Sequence, residues 1–222
     1  ATTSPIKLKG WGKFESYPNR DSLKYVKEYG LQTAKTVYRG TLRRPPYCNG
    51  WQALVQLGFT NKNERNTAEF KKEVDVLMKS KKAITGKVVH QLIDATGVLN
   101  ALAKHKADTI VPAELLQSVL EVKWALKPND KDLVVMVHEI EYAGKNGRNK
   151  KTVEASLVCV GADPERTAMA TTVGLPVAIV TKMILNGEVK RHGVLMPKYP
   201  EIYNPVLAEL ESYGIRFKEK LV

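Results

Sequence analysis

Two short stretches of the sequence decide how the rest of the chain is interpreted, namely Tyr17-Pro18-Asn19-Arg20-Asp21-Ser22 and Arg39-Gly40-Thr41-Leu42-Arg43. In the first stretch, Pro18 fixes its own φ angle and favours extended backbone in the residues before it. Asp21 or Ser22 can then cap a helix that extends to Tyr29, and Gly30 is a typical residue for its end. We therefore expect Arg20 to lie at a strand-to-helix corner, where its side chain can reach into a cleft.

The second stretch predicts a strand over residues 36–43. Gly40 has no Cβ atom, so we expect a ligand to approach the backbone there. Thr41 adds a hydroxyl group and Arg43 a second guanidinium, and a guanidinium binds a carboxylate through two parallel hydrogen bonds. The two stretches thus predict a cradle for carboxylates. The alternative is that both arginines are ordinary surface charges with weak ion-pair partners.

The remaining elements follow from periodicity and from glycine and proline positions. Residues 6–17 are predicted to be extended, and residues 47–126 to be helical throughout, with a break at Gly97 and Pro112 as a first helical residue. Residues 131–160 alternate on both sides of Asn146-Gly147, which is typical of a β-hairpin.

The last third of the chain predicts two helices and a strand. Thr167 can cap a helix that Pro176 breaks or restarts and Asn186-Gly187 ends; its small apolar residues favour a buried packing helix. We expect the second helix to begin at Asn204-Pro205 and to end at Gly214. A closing strand over residues 215–218 completes the prediction.

Composition and charge restrict the classes of function. The 222 residues are 43% hydrophobic and 26% charged, as in soluble globular proteins, and no run of 18 apolar residues is present, so we expect no membrane partner. The formal net charge of +12 raises nucleic-acid binding as an alternative. The positive residues are scattered and lack interleaved stacking aromatics, so we expect no nucleic-acid partner.

Several catalytic and metal-binding patterns are missing from these 222 residues. The sequence has no Gly-x-Gly-x-x-Gly motif and no phosphate-binding loop, and we assign no catalytic, cofactor-binding or metal-binding residue to it. Cys48 and Cys159 are far apart in sequence, which favours a reducing compartment and no zinc site. His138 and Glu139 lie on opposite faces of their predicted strand, so they do not indicate a metal site.

With two further motifs, the two arginine stretches resemble the saccharopine dehydrogenases of lysine metabolism. The further motifs are Thr167-Ala168-Met169-Ala170-Thr171-Thr172-Val173-Gly174-Leu175-Pro176 and the ending from Glu201-Ile202-Tyr203 to Tyr213-Gly214-Ile215. The resemblance implies that Arg20, Thr41, Leu42 and Arg43 bind L-saccharopine. One departure is visible. After the triplet Thr41-Leu42-Arg43 the family usually has an aromatic residue and a glycine, whereas this chain continues Arg44-Pro45-Pro46-Tyr47.

The resemblance implies that the parent protein is an NAD(P)-dependent oxidoreductase that acts on a CH–NH bond. The family oxidises L-saccharopine to L-glutamate and 2-aminoadipate 6-semialdehyde, with NAD or NADP held by an N-terminal Rossmann domain that these residues do not contain. We therefore expect this chain alone to be inactive. We expect a cytoplasmic location, and a mitochondrial location is the alternative. The sequence leaves open whether the protein forms a homodimer. The functional alternative is a non-catalytic module that binds an acidic amino acid.

The predicted fold class is α/β (α+β), a mixed-sheet substrate-binding domain with a helical insertion. We divide the chain into four parts: the first part of that domain (1–46), the helical insertion (47–128), the β-hairpin (129–164), and C-terminal helices and a strand that return toward the dinucleotide domain (165–222).

Overall fold

The computed structural model describes residues 3–19, 21–80, 87–144 and 149–222, grouped in two compact units, Ala1–Ala125 and Leu126–Val222. Helices and small antiparallel sheets alternate along the chain, which confirms the α+β class. The four-part division predicted from sequence is finer than these two units and stays a prediction. Arg20 and the turn predicted at Asn146-Gly147 lie outside the described residues.

The first unit joins a three-stranded sheet to a bundle of helices. Its elements are β1 (Ser4–Leu8), β2 (Gly12–Pro18), α1 (Tyr25–Glu28), β3 (Gly40–Arg43), α2 (Tyr47–Gln56), β4 (Arg65–Asn66), α3 (Thr67–Lys79), α4 (Lys87–Thr96), α5 (Val98–Lys104), β5 (Thr109–Ile110) and α6 (Pro112–Lys123). The sheet has the order β1-β2-β3, with both pairs antiparallel. β4 and β5 form a separate two-stranded pair.

The helices of this unit surround one apolar core. Leu57, Phe59, Phe70, Ile93 and Val98 are almost completely buried, and the rings of Phe59 and Phe70 meet edge to face with centroids 5.4 Å apart. Such a pair stabilises the core beyond the burial of its area alone. The core positions the start of α2 next to the sheet, where the candidate site lies.

The second unit packs two helices on a three-stranded sheet. Its elements are β6 (Leu133–Ala143), β7 (Lys150–Val160), α7 (Ala168–Leu185), α8 (Pro200–Ser212) and β8 (Lys218–Leu221). The sheet has the order β6-β7-β8 and is antiparallel, so the hairpin predicted from alternation is confirmed. Leu157 of β7, Ile179 and Met183 of α7, and Val206 and Leu210 of α8 form the core.

Several predicted boundaries are wrong in the first unit. Strand geometry begins only at Gly40 rather than at residue 36. The first helix is a single turn, Tyr25–Glu28, because Asp21 accepts a hydrogen bond from the Leu23 amide and forms a local turn instead of a cap. Residues 47–126 are not helical throughout, since β4 and β5 interrupt them. The break at Gly97, where φ is +78°, and the start of α6 at Pro112 are confirmed.

The last helix and strand also differ from the prediction. α8 begins at Pro200, not at Asn204-Pro205, and Pro205 lies inside it. Ile202, Val206 and Leu210 are buried at helical spacing, and this packing stabilises an additional N-terminal turn despite the hydrogen bond that Pro205 removes. The closing strand is residues 218–221 rather than 215–218.

Helix α7 is continuous through Pro176 and is far less buried than predicted. Only Ala168, Ile179 and Met183 are buried in its 18 residues, so the expectation of a buried packing helix is wrong. Its mean hydropathy of 1.7 over 18 residues makes it long and apolar enough to cross a membrane by length and composition alone. The helix contains no strictly apolar run of 18 residues, because Thr and Lys residues interrupt the apolar ones.

Candidate functional site

The candidate site lies on one face of the sheet formed by β2 and β3. In the antiparallel register, Glu15 lies opposite Arg43 and Tyr17 lies opposite Thr41. Directly opposite residues point to the same face, and so do residues two apart in a strand. Glu15, Tyr17, Thr41 and Arg43 therefore share one face, which is called the Arg43 face below.

Leu42 points to the opposite face of the same strand. It pairs with the buried Ser16, and Phe14 lies on that side as well. The structure thus brings Thr41 and Arg43 together and directs Leu42 away from them. Thr41 and Leu42 are half-buried, and Arg43 is exposed. A role of Leu42 in binding would have to use its backbone, because its side chain faces the interior of the unit.

Gly40 does not leave room for a ligand on the side where a Cβ atom would lie. A Cβ atom built there would come within 2.7 Å of the Tyr38 hydroxyl and still closer to the Ser16 hydroxyl. These two hydroxyls are 3.0 Å apart and hydrogen-bonded to each other. The chain's own side chains therefore occupy the Cβ side of Gly40, and the approach of a ligand to its backbone stays a prediction.

The start of α2 lies at the Arg43 face. The guanidinium carbon of Arg43 is 5.5 Å from the centre of the Tyr47 ring, and Tyr47 stacks on Trp51 with ring centroids 5.8 Å apart. The first turn of α2 contains no acidic residue and no side-chain cap. The positive end of the helix dipole therefore adds to the positive charge of Arg43, while three of the first four amides of α2 already donate to backbone carbonyls.

Arg44 is directed differently from Arg43. Its guanidinium carbon lies 4.4 Å from the centre of the Phe14 ring, and its Nη1 donates to the Trp11 carbonyl. Phe14 belongs to the face opposite to the Arg43 face. The loop Arg44-Pro45-Pro46 therefore places one arginine in a packing role, while Arg43 remains exposed beside Tyr47.

Glu15 and Cys48 are members of the site that sequence reasoning missed. Glu15 is half-buried, and its Oε2 atom is buried without a hydrogen-bond partner. Burial raises the pKa of the Cys48 thiol, and the hydrogen bond and negative charge of Glu15 raise it further, while the charge of Arg43 lowers it. All three groups are therefore close enough to influence one another. The two-residue period of the strand could have indicated Glu15, because it places Glu15 on the same face as Tyr17.

Comparison with known proteins identifies the family to which this fold and these motifs belong. The saccharopine dehydrogenase C-terminal domain family matches residues 1–215. The chain belongs to this family. The resemblance inferred from the four motifs is thereby confirmed.

The solved structure of apo histidine-tagged saccharopine dehydrogenase (L-Glu forming) from Saccharomyces cerevisiae shares the fold. It superposes with a TM-score of 0.78 at 31% identity, covering 100% of this chain and 54% of that one. A saccharopine dehydrogenase [NADP(+), L-glutamate-forming] of Pyricularia oryzae is 30% identical over 246 residues. The mitochondrial alpha-aminoadipic semialdehyde synthase of Bos taurus is 33% identical over 225 residues.

Coverage of these relatives is partial. The chain spans about half the length of the saccharopine dehydrogenases, at 54%, and 24% of the cattle synthase. This member of the family therefore corresponds to one part of each longer protein. The binding roles of Arg20, Thr41, Leu42 and Arg43 stay predictions.

Proposed function

We propose that this chain is the substrate-binding C-terminal portion of an NAD(P)-dependent saccharopine dehydrogenase. The observation that carries the proposal is the Arg43 face, where Thr41 and Arg43 lie beside the uncapped start of α2. L-Saccharopine carries several carboxylates, and this face offers a guanidinium fork, a hydroxyl and the positive end of a helix dipole to bind them. Arg20, which follows Asn19 in sequence, completes the proposed cradle.

The chain's contribution to the reaction is positioning. By holding the carboxylates, Arg20, Thr41 and Arg43 align the C–H bond next to the secondary amine with a nicotinamide ring, and such alignment accelerates a reaction by lowering its entropic cost. Oxidation of that amine to an imine and its hydrolysis give L-glutamate and 2-aminoadipate 6-semialdehyde. NAD or NADP, bound by the N-terminal part of the longer relatives, accepts the hydride. We propose that the exposed side of α7 faces that part.

Calorimetric titration of the chain with L-saccharopine tests the proposal. We expect binding, and we expect Arg43→Ala and Arg20→Ala each to weaken it about 10-fold to 100-fold, since each removes charge-assisted hydrogen bonds. Arg216→Ala is the matched control, because it removes an exposed arginine of the second unit that belongs to neither motif. A folded chain that does not bind L-saccharopine, or binds it equally well without Arg43, would contradict the proposal.

A second candidate is a non-catalytic module that binds an acidic amino acid. It is favoured by the lack of a dinucleotide-binding motif in these 222 residues. Both candidates predict binding without turnover for the chain alone. They differ when the chain is joined to a nucleotide-binding portion such as that of the yeast relative, where only the dehydrogenase reduces NAD⁺ or NADP⁺ with saccharopine.

The location that we propose for the parent protein is the cytoplasm. The cattle, rat and mouse synthases are named mitochondrial, which gives the alternative compartment. Cell fractionation with detection of the parent protein separates the two.

A further inference from the structure

Glu15 is an acidic group of the proposed cradle, and one of its two carboxylate oxygens has no hydrogen-bond partner. It lies on the middle strand of the sheet, opposite Arg43, and its Oε2 atom is buried. Burying a carboxylate oxygen without a hydrogen bond is costly, so such atoms in a folded protein require an explanation. A ligand that displaces the groups covering this oxygen and donates a hydrogen bond to it would remove the cost.

No neighbouring group among the described residues satisfies this oxygen. Arg43 directs its Nη1 to the Leu42 carbonyl, 2.9 Å away, and does not bind Glu15. The same face therefore carries one unsatisfied oxygen of Glu15, whose carboxylate also interacts with the Cys48 thiol, and further donors in Arg43. Their Cβ atoms are separated by about 5 Å, as in any directly opposite pair.

A Cβ separation of about 5 Å suits a ligand whose positive and negative groups are attached to the same carbon atom. In an α-amino acid the ammonium and the carboxylate are attached to the same Cα atom. A carboxylate and a guanidinium on neighbouring strands can therefore each hold one end. A ligand with carboxylates alone would instead meet repulsion from Glu15.

We propose that Glu15 binds the ammonium group of an amino-acid ligand whose carboxylate is held by Arg43. The inference rests on the proposed function and deepens it, because it makes Glu15 a specificity residue that separates amino acids from plain dicarboxylates. L-Saccharopine and L-glutamate contain this arrangement, whereas glutarate has the two carboxylates of glutamate and no amine.

The test measures binding of L-saccharopine, L-glutamate and glutarate to the 222-residue chain and to Glu15→Gln. This substitution keeps the size of the side chain and removes its charge. We expect Glu15→Gln to weaken both amino acids about 10-fold to 100-fold, because a charge-assisted hydrogen bond is lost. Glu15→Gln should bind glutarate as tightly as the wild-type chain does, or more tightly. Arg43→Ala should weaken all three ligands, and Glu114→Gln, at an exposed position of α6, is the control.

A second readout uses the Cys48 thiol, in a Cys159→Ser background that leaves it as the single thiol. An ammonium group paired with Glu15 reduces the effect of that carboxylate on the thiol. L-Glutamate should therefore shift the pH profile of Cys48 alkylation to lower pH, while glutarate should not. The shift should be absent in Glu15→Gln, and a purely structural role of Glu15 would not produce it.

The outcomes separate this inference from the proposed function. If the wild-type chain binds neither L-saccharopine nor L-glutamate, both are overturned. If it binds them and Glu15→Gln changes their affinity by less than two-fold, only the role of Glu15 is overturned. Equal weakening of L-glutamate and glutarate by Glu15→Gln overturns it as well, since the amine would then not be recognised.

Discussion

At the scale of single residues, Gly40 shows how a motif residue can serve packing. A Cβ atom at this position would overlap the hydroxyls of Ser16 and Tyr38, which are hydrogen-bonded to each other. Ser16 is 3% exposed, so its hydroxyl has no open space into which it can turn. The glycine therefore keeps β2 and β3 paired at the register that places Thr41 and Arg43 on the same face as Glu15.

We predict that Gly40→Ala destabilises the first unit by about 1–3 kcal/mol, the usual cost of overpacking. The measurement is urea unfolding followed by tryptophan fluorescence, because Trp11, Trp51 and Trp124 all lie in this unit. Ser16→Ala removes the nearest clashing atom and serves as the background for a double-mutant cycle. Gly40→Ala should cost less in that background, and an equal cost in both would show that the contact with Ser16 is not the cause.

At the scale of elements, the start of α7 depends on a residue from a distant part of the sequence. Thr167 accepts a hydrogen bond from the Ala170 amide, as its predicted cap role requires. In addition, the Asp132 carboxylate accepts from the Ala168 amide at 2.6 Å and from the Met169 amide at 2.9 Å. A carboxylate at this end of a helix also interacts favourably with the helix dipole.

We predict that Asp132→Ala lowers the free energy of unfolding of the second unit by about 1–2 kcal/mol, because two helix amides lose their acceptor. Asp132→Asn should cost less, since its amide oxygen can still accept one of the two bonds. Urea unfolding followed by far-UV circular dichroism measures the change. Glu165→Ala is the control, an exposed carboxylate next to the same helix start. A cost for Asp132→Ala no larger than for Glu165→Ala would exclude the capping role.

These elements also show what could be predicted from the sequence. The Thr167 cap, the break at Gly97 and the first-turn Pro112 are local signals, and all three are confirmed. Asp132 lies 36 residues before Ala168, so no local pattern connects it to α7. The predicted start of α8 was wrong because Pro200 and Pro205 both suit a first helical turn. Burial of Ile202 decides between them.

The candidate site was predictable to a similar extent. Thr41 and Arg43 follow from the motif, and the structure does place them on one face. The separation of Leu42 from them follows from strand alternation. Glu15 could not be assigned, because its position opposite Arg43 depends on how β2 and β3 are paired, and that register depends on packing between strands.

At the scale of the whole molecule, the apolar stripe of α7 is exposed in the chain taken alone. Its members are more than half exposed: Met169, Val173 and Val177 lie four residues apart, Ile184 follows seven residues after Val177, and Leu185 is adjacent to Ile184. Contiguous exposed apolar surface of this kind favours association with another surface. We therefore expect the isolated chain to self-associate through α7 as its concentration rises.

We predict that Val173→Glu combined with Val177→Lys weakens this association about 30-fold, equivalent to about 2 kcal/mol for two half-exposed valines that no longer become buried. The pair leaves the net charge at +12 and places opposite charges four residues apart, so helix stability should not fall. Sedimentation velocity over a range of concentrations measures the change. The matched control places the same charges on exposed positions of α4, as Gln91→Glu with Ala95→Lys. Because only the first pair removes apolar surface from the stripe, association that both pairs leave unchanged would show that α7 is not the contact surface.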